Sequence, residues 1–548
     1  MEEIKFPISS SQFLKYHARG GFFKGAWWSQ CKRVFSGAVL QGPFSIPFLS
    51  AGRRKGDSAL LPVSTVPTRS AAPLQPTAYK LQSSAGTVLV LVVVLIFVVS
   101  LVILAILSNA TMQLRLVRQT QDKELAFHIA EAGVNYYQWY LAHFPKDYSD
   151  GTGQVACSPC GPYVHDFTDF DTGQVVGRYS LTITPPSVGT TVVTITSNGY
   201  TMANPQVVRT ITVRYGIPSL AQYAFLTNSD VWIGSSESVS GQMTANGGIR
   251  FDGTANAPIR SAKTTYTCPS WSGSPCPTTR PGVWGTASAA SQSYWQYPVP
   301  NVDFSSMTSD LATMKTSAQG GGLYLPPSNA LGYSLVFNAD GTVTVYKVTS
   351  LRSMSGITAY DVTWTSVSPT VDYQNRALQF TQAIPVNGLI FVEDHVWVEG
   401  TVQGRAQVTA AKLPYNATTA PNIYIPNNIV YAAKDGSDVL GLIAQKHVVA
   451  TYYTPDDLEI DAAIIAQNGS VQRYYFSGGS YNIRNNITVY GSLGTFGQWT
   501  WSYVSGSTVT SGFVNTHTTY DANLLYGPPP SFPLTTDGYQ QMSWESDQ

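Results

Sequence analysis

The feature that most constrains this chain is an uncharged apolar run of about 21 residues, TVLVLVVVLIFVVSLVILAIL, at residues 87–107. A helix that spans a bilayer needs roughly 20 such residues, and at about 1.5 Å per residue this run reaches about 31 Å. No second stretch of the sequence comes close to it in length. The run therefore predicts a single membrane-spanning helix and argues against a buried helix of a soluble core.

Basic residues are concentrated before the apolar run and predict its orientation. They outnumber the acidic residues of the same flank, which are Glu2, Glu3 and Asp57. The positive-inside rule therefore places this flank in the cytoplasm and the C-terminal bulk outside. Arg115 and Arg118, on the far side, weaken this bias without reversing it. The basic residues of the flank are Lys5, Lys15, Arg19, Lys24, Lys32, Arg33, Arg53, Arg54, Lys55, Arg69 and Lys80.

Residues 1–83 are rich in Ser, Pro, Gly and Arg and show no sustained period of 2 or 3.6 residues. This pattern predicts a disordered cytoplasmic N-terminal extension or a leader. The alternative is a start codon assigned too early. Translation from Leu81, encoded as TTG, would give a short leader that ends at Gly86, directly before the apolar run.

The sequence after the apolar run stays helix-permissive as far as Phe144, and Pro145 is a natural helix stop. Apolar-leaning residues recur there at three- or four-residue steps and form one stripe on a continuing helix. We therefore predict that residues 84–145 form the transmembrane span and its extension. The stripe consists of Leu116, Gln119, Lys123, Phe127, Ala130, Val134, Tyr137 and Leu141.

Residues 84–140 resemble the N-terminal region of the PilX-type minor pilins, a family of type IV pilus assembly proteins. The resemblance implies an inner-membrane protein whose N-terminal helix packs into a filament or its assembly machine. It also implies cleavage by a prepilin peptidase between Gly86 and Thr87. The shared features are an apolar run directly after a Gly and a helix segment with Ala126, Phe127, Ala130, Glu131, Ala132 and Gly133.

One position departs from the pilin pattern. Major pilins carry Glu at the fifth mature position, and this chain has Leu91 there. The departure puts a role as a repeating filament subunit in doubt and leaves open a tip, priming or cell-surface role. A simple signal anchor with a helical stalk is the alternative interpretation of the same stretch.

The exported body is predicted to be mainly β. Only 12% of the residues are charged, about half the usual share of a soluble domain. Alternating segments separated by Pro and Asn-Gly turns predict a pilin-like antiparallel meander within residues 146–218. Short β segments with Gly or Asn corners fill residues 219–519, and from Ile423 onward they recur every 20 to 23 residues or so. That period favours a β-solenoid over the alternative, a β-sandwich.

Within the second β region, residues 256–385 are expected to form an insertion, and the Pro-rich tail at residues 520–548 is expected to dock as an extended cap. The segments VWIGSSESVSG and VWVEGTVQG share the same order of residues, with Trp232 and Trp397 at equivalent places. We expect them to be neighbouring turns of one domain, with the two indole rings close together on one face.

Four of the five cysteines follow the apolar run, as the close pairs Cys157/Cys160 and Cys268/Cys276. Such pairs in an exported segment predict two small disulfide loops. A redox or metal role for the first pair is the alternative. It is disfavoured because the pair lies in a Gly/Ser/Pro-rich loop and has no partner pair at zinc-ligand spacing.

The sequence shows no catalytic motif, nucleotide fingerprint or His pair at metal spacing, so we expect neither enzymatic activity nor a small-molecule substrate. Asp457, Glu459 and Asp461 alternate toward one side of a predicted strand. Three converging carboxylates would bind Ca²⁺, the one cofactor that the sequence suggests, whereas a solvated strand edge is the plainer account.

Aromatic residues are frequent near the C-terminus. Trp499, Trp501 and Tyr503 alternate on one predicted strand, close to Tyr474 and Tyr475. Aromatic-rich β surfaces can stack on sugars or bases, and a buried core ladder is the alternative. The net charge of the chain is zero, so its overall charge does not favour the attraction of nucleic acids.

Together these features predict a membrane-anchored minor-pilin-like protein of a type IV pilus or related secretion system, acting in pilus assembly, surface adhesion or DNA uptake. Its expected partners are the membrane, other pilins or assembly proteins, and a surface glycan or DNA. The expected location is the bacterial inner membrane, with a single span and the C-terminus outside, or the pilus or cell surface. The alternative is a membrane-anchored β-solenoid that binds carbohydrate or acts on polysaccharide.

Overall fold

The computed structural model describes residues 85–153, 157–187, 189–304, 311–506, 508–535 and 538–547. The predictions for residues 1–83 lie outside these described residues. The described chain is mainly β with one long N-terminal helix, as predicted. Its described residues divide into two compact units, residues 85–124 with 167–176, and residues 125–166 with 177–547.

Helix α1 spans Ala85–His143 and contains the whole apolar run. Its most apolar 18-residue window has a mean hydropathy of 3.7, and none of that window is buried. Among the described residues it is the one helix long and apolar enough to cross a membrane. The shorter helices are α2 Ala289–Gln292 and α3 Leu311–Gly321, with 3-10 turns at Leu220–Gln222, Ser270–Ser272 and Ala522–Leu524.

A sheet in the order β1-β2-β3-β4-β35 follows the helix. Strands β2, β3 and β4 form an antiparallel meander whose alternate residues are buried, as the period-2 pattern predicts. The C-terminal strand β35 pairs antiparallel with β4, so the tail completes this sheet. The strands are β1 Cys160–Thr168, β2 Val175–Thr184, β3 Val192–Thr201, β4 Val208–Gly216 and β35 Gln540–Ser546.

The strands that lie between β4 and β35 in the chain are mostly short, with Gly or Asn at many corners. The first group is β5 Phe225–Thr227, β6 Val231–Ile233, β7 Glu237–Ser240, β8 Met243–Ala245, β9 Ile249–Phe251, β10 Thr254–Ala255, β11 Ile259–Ser261, β12 Thr265–Thr267, β13 Thr279–Pro281, β14 Val283–Trp284 and β15 Trp295–Gln296.

The second group is β16 Leu323–Leu325, β17 Tyr333–Phe337, β18 Thr342–Leu351, β19 Ala359–Tyr360, β20 Ser366–Val367, β21 Tyr373–Ala383, β22 Leu389–Val392, β23 Val396–Val402, β24 Arg405–Ala410, β25 Ile423–Ile425, β26 Ile429–Tyr431, β27 Val439–Ala444, β28 Val448–Ala450, β29 Asp457–Ala466, β30 Val471–Arg473, β31 Tyr475–Phe476, β32 Ile483–Thr495, β33 Ser502–Ser505 and β34 Thr508–Tyr520.

In the described chain, one long ladder of parallel pairs runs β16-β22-β24-β27-β29-β32-β5-β8-β11-β15. Its pairs are in register, so one inward column of apolar side chains passes through every strand. Nearly all of these side chains are fully buried in a single core. The column is Leu323, Ile390, Val408, Leu442, Ile464, Leu493, Phe225, Met243, Ile259 and Trp295.

Two further parallel ladders face the same core. The second runs β17-β23-β25-β28-β30, and the shorter series β6-β9-β14 pairs in the same sense. The third runs β26-β29-β32-β34-β7-β10. The long strands β29 and β32 belong to both the first and the third ladder. Paired strands in each ladder lie about 4.8 Å apart.

The stacking order differs from the order along the chain. The turns at residues 225–296 lie beyond the turns at residues 323–520, because β32 pairs with β5 and β34 pairs with β7. The connection from β15 back to β16 includes α3, whose residues Leu311, Met314 and Ala318 pack into an apolar cluster with residues of β22. The chain thus returns to the far end of the stack before it resumes winding.

The structure differs from the predicted insertion at residues 256–385. Strands β11, β14 and β15 continue the ladders, and β16 and β17 open them at the other end. What leaves the stack is chiefly the antiparallel hairpin β18–β21 and the loop that it encloses. The expected contact of the two tryptophans is wrong, because Trp232 is in register with Arg250, and Trp397 with Ser334 and Tyr424.

Two partly buried histidines lie at corners between the first and second ladders. His395 Nδ1 accepts a hydrogen bond from Asn422 N at 3.0 Å, and His447 Nδ1 accepts one from Ser470 N at 3.0 Å. Both rings must therefore be neutral with Nδ1 unprotonated. Burial is the main cause that lowers the pKa of both imidazoles, that of His447 to about 4.

We expect acid to destabilise the stack through these histidines. Between about pH 6.5 and pH 4 the unfolded chain binds a proton at His447 and the folded chain does not, so stability falls as the pH falls through that window. The loss at this site should be roughly 1–3 kcal/mol. Denaturant unfolding of the full chain in detergent at pH 7.5, 5.5 and 4.5 would measure it.

The matched variants are His447→Asn, whose amide oxygen can accept the same N–H, and His128→Asn on the exposed face of α1. The first should be less stable than the wild type at pH 7.5 and lose less stability on acidification. The second should follow the wild-type profile. An unchanged pH profile in His447→Asn would contradict this account.

Candidate functional site

The C-terminal part of α1, Leu125–His143, packs on the meander sheet. Ala126, Ile129, Ala130, Val134 and Tyr137 are fully buried there. These residues repeat at three- or four-residue steps, which places them on one face of the helix. Of the stripe predicted from the sequence, Ala130, Val134, Tyr137 and Leu141 are buried in this segment, whereas Phe127 is only partly buried.

Small residues allow the helix backbone to approach strand β3 closely. A Cβ atom added to Gly199 would lie 2.3 Å from Ala126 O and from Ala130 N. A Cβ atom added to Gly133 would lie 2.4 Å from Ser197 Oγ. Both contacts are far below van der Waals distance, so each position requires glycine or a shift of the helix.

This contact gives a physical role to several residues of the segment 126–133. Ala126, Ala130 and Gly133 lie in the interface with the sheet. Phe127, Glu131 and Ala132 are only partly buried. The motif thus combines small residues that let helix and sheet approach with residues that stay at the margin of the contact.

Tyrosines fix the end of α1 to the loop that follows it. Tyr136 OH donates to Asp150 Oδ1 at 2.9 Å, and His165 Nε2 lies 2.7 Å from Asp150 Oδ2. Tyr140 OH donates to the carboxylate of Asp147. Burial and then Asp150 raise the pKa of Tyr136 above its ordinary value, so the phenol stays a donor at physiological pH.

The N-terminal part of α1 has a different surface. Residues 88–121 are exposed along their whole length. Beyond the apolar run, Met112, Leu114, Leu116 and Val117 are all more than half exposed. Gly86 and Thr87, the predicted cleavage site, lie in the first turn of the helix.

Both predicted cysteine pairs are disulfide-bonded in the structure, Cys157 with Cys160 and Cys268 with Cys276. The second bond closes the loop between β12 and β13. Arg250 holds this loop, because its guanidinium donates to Ser272 O and to Ser274 O. The first bond lies directly before the body of β1.

Arg250 is itself fixed by its surroundings. Its guanidinium carbon lies 4.6 Å from the ring centroid of Trp232 and 5.1 Å from that of Trp284, and its Nε donates to Asp252 at 2.7 Å. A cation held between two indoles and a carboxylate is a rigid support. The loop closed by Cys268 and Cys276 is therefore attached firmly to the stack.

The three carboxylates considered for Ca²⁺ do not converge. Asp461 is buried and bonded to Lys434 Nζ at 2.8 Å, whereas Asp457 and Glu459 are exposed. Along β29 the Cα atoms of Asp457 and Asp461 are separated by four residues, roughly 13 Å in a strand. Among the described residues no group of three His, Cys, Asp or Glu is placed to hold a metal ion.

The aromatic residues considered near the C-terminus are mostly core residues. Trp499, Trp501, Tyr503 and Tyr474 are buried, as the alternative of a core ladder predicts. The exposed indole of this region is that of Trp364, which the sequence analysis did not single out. Its only local signal is the turn-forming spacing Asp361-Val-Thr363 just before it.

Comparison with known proteins gives little guidance. No protein-family model matches the sequence, and no curated protein matches it. A solved structure with some similarity is the competence-associated pilin ComZ from Thermus thermophilus, which is 13% identical, with 78% of this chain and 98% of that chain covered. The TM-score is 0.27, too low to establish a shared fold.

We expect Gly199→Ala to destabilise the helix–sheet contact. The new methyl group would meet backbone atoms of α1 that cannot rotate away, and such overpacking costs roughly 1–3 kcal/mol. Gly478→Ala is the matched control, because a Cβ atom there has no neighbour within 4 Å. Denaturant unfolding of the full chain in detergent would compare the two, and equal midpoints would show that the close approach is absent.

Proposed function

We propose that this chain is a minor-pilin-like protein of a type IV pilus or related secretion system, anchored by a single membrane span with its C-terminus outside the bacterial inner membrane. The observation that carries the proposal is the division of α1. Its first part is apolar and exposed, and its last part is packed on a sheet by Ala126, Ala130 and Gly133. We propose no enzymatic role.

The exposed surface of α1 supports assembly with other helices. The apolar run is long enough to cross the hydrocarbon core alone, yet Met112, Leu116 and Val117 continue the apolar surface beyond it. Apolar side chains outside the bilayer gain about 25 cal/mol for each Å² that a partner removes from water. Helices of other pilins or of assembly proteins are the partners that fit this surface.

The β body supports a role in display at the surface. We infer that its three parallel ladders are the faces of a β-solenoid, which presents long rows of side chains on a rigid support. The disulfides Cys157–Cys160 and Cys268–Cys276 are suited to an oxidising location outside the cytoplasm. In this proposal α1 provides the anchor and the assembly contact, and the β body serves surface adhesion.

The proposal is tested by processing of the N-terminus. We expect co-expression of the full chain with a prepilin peptidase to yield a mature protein that begins at Thr87, as read by intact-mass and N-terminal mass spectrometry. Gly86→Val should block this cleavage, because the larger side chain occupies the last leader position. Ser83→Ala, three residues upstream, should be processed normally.

A known prepilin expressed in the same cells controls for peptidase activity. If that prepilin is cleaved and this chain keeps its original N-terminus, the pilin pathway is wrong. The simple signal anchor with a helical stalk would then be the better account of α1.

A further inference from the structure

Trp364 combines exposure with backbone strain. Its side chain is 55% exposed, and its φ is 61°. A bulky aromatic residue is rare at positive φ, which glycine or asparagine adopts at little cost. Strain of this kind persists where the surrounding structure enforces it, and it is concentrated at functional sites. The turn therefore presents an indole where a smaller residue would fold more easily.

The turn that holds Trp364 is built around Asp361. Asp361 Oδ1 accepts from Thr363 N and from Thr365 N, both at 2.9 Å. Trp364 N donates to Asp361 O at 2.9 Å. These bonds close the turn on both sides of the indole and fix the direction in which it leaves the backbone.

The rings of three tyrosines lie next to the indole. The ring centroid of Trp364 lies 5.2 Å from that of Tyr475, 5.6 Å from that of Tyr503 and 6.0 Å from that of Tyr360. Tyr503 is buried, and Tyr475 and Tyr360 are partly exposed. The result is a rigid aromatic surface that loses little conformational entropy when a ligand binds.

A second exposed indole is tied to the same turn. Trp271, 38% exposed, lies in the loop closed by Cys268 and Cys276. With the Gln498 amide oriented to satisfy both neighbours, its oxygen accepts from Trp271 Nε1 at 3.0 Å and its nitrogen donates to Val362 O at 3.1 Å. Val362 N donates to Gln472 Oε1 at 2.7 Å. One amide thus links the two loops that carry the exposed indoles.

The charge of this surface indicates the class of ligand. The four segments that form it, the described residues of 265–279, 353–371, 474–482 and 496–513, contain no Lys or Arg and a single acidic residue, Asp361. The arginines beside these segments are engaged elsewhere: Arg250 donates to Ser272 O and Ser274 O, Arg280 lies over the Trp284 ring, Arg352 lies over the Tyr453 ring, and Arg473 is buried. Binding of DNA, RNA or an acidic polysaccharide depends on cations that neutralise the ligand. An uncharged aromatic surface instead suits a neutral sugar, whose ring offers an apolar face for stacking and hydroxyl groups at its edge.

We propose that Trp364, Tyr475 and Trp271 form a binding site for a neutral oligosaccharide, whose pyranose rings stack on the exposed aromatic rings. This inference deepens the adhesive role proposed above and rests on it for its biological meaning. The binding reaction itself needs neither a filament nor N-terminal processing, so it can be tested separately.

The test uses the full chain in a detergent without a sugar head group. The chain is applied to a glycan array that includes cellohexaose, chitohexaose, xylohexaose and mannohexaose, and affinity for each bound glycan is measured by titration calorimetry. The oligonucleotide dT20 and heparin are the anionic probes. We expect binding of at least one neutral hexasaccharide and none of the anionic probes.

Trp364→Gly is the informative variant. It removes the indole, and relief of the positive φ offsets part of the lost ring packing, so the chain should still unfold cooperatively while affinity falls at least about tenfold, equivalent to about 1.4 kcal/mol. Trp544→Ala is the control, because Trp544 is an exposed indole on β35, as exposed as Trp271 and far from these segments in the sequence. It should bind as the wild type does.

Three outcomes would overturn the proposal. The first is that no neutral glycan on the array binds. The second is that Trp364→Gly binds as tightly as the wild type. The third is that dT20 or heparin binds in place of the neutral sugars. A wild-type chain that binds sugar but keeps its original N-terminus would support this site while contradicting the pilin pathway, so the two failures are distinguishable.

Discussion

The in-register pairing of β32 with β5 is the contact on which the β body depends. The inward side chains of each strand in the long ladder are covered in part by the equivalent side chains of the strands paired on either side of it. Leu493 opposite Phe225 joins the turns at residues 225–296 to those at residues 323–520. Together with the pairing of β34 and β7, this contact covers the strand edges that two shorter stacks would each leave unpaired.

Buried polar groups then attach the outer segments to this stack. Asp372, at the base of β21, accepts from Tyr452 N at 3.1 Å, and Arg473 donates to Thr451 O at 2.6 Å and to Tyr481 O at 2.7 Å. Removing one partner from buried charges of this kind is costly, because the other is left unpaired away from water. The loop that carries Trp364 is positioned by Gln472, whose side chain accepts from Val362 N, and by the pairing of β19 with β31.

The sequence predicted the elements that depend on local pattern. The length and apolarity of residues 87–107 sufficed for the helix, and period-2 alternation sufficed for the meander. The order of the turns could not be predicted, because the pairing of Leu493 with Phe225 depends on how a long connection returns past the stack. The similarity of the segments around Trp232 and Trp397 reflects a shared turn pattern and gave no information on which turns are neighbours.

The candidate site was predictable only in part, for the same reason. Ala126, Ala130 and Gly133 stand out in the sequence as small residues at helical spacing, but their contact with Gly199 requires the folded sheet. Trp364 carries no sequence signal beyond a turn-forming Asp, because positive φ and exposure are properties of the folded chain. Trp499 and Trp501 gave a stronger sequence signal than Trp364, yet they are buried.

The central claim is that the exposed surface of α1 is covered by other pilin-like helices. Site-specific photo-crosslinking in cells measures this directly, with the photoreactive residue placed at Leu116 on the exposed apolar surface or at Gln138 on the exposed polar side of the sheet-packed segment. The account predicts crosslinks from Leu116 to a second membrane-anchored pilin-type protein and few or none from Gln138. Crosslinks from Leu116 to lipid alone, with no protein partner, would contradict it.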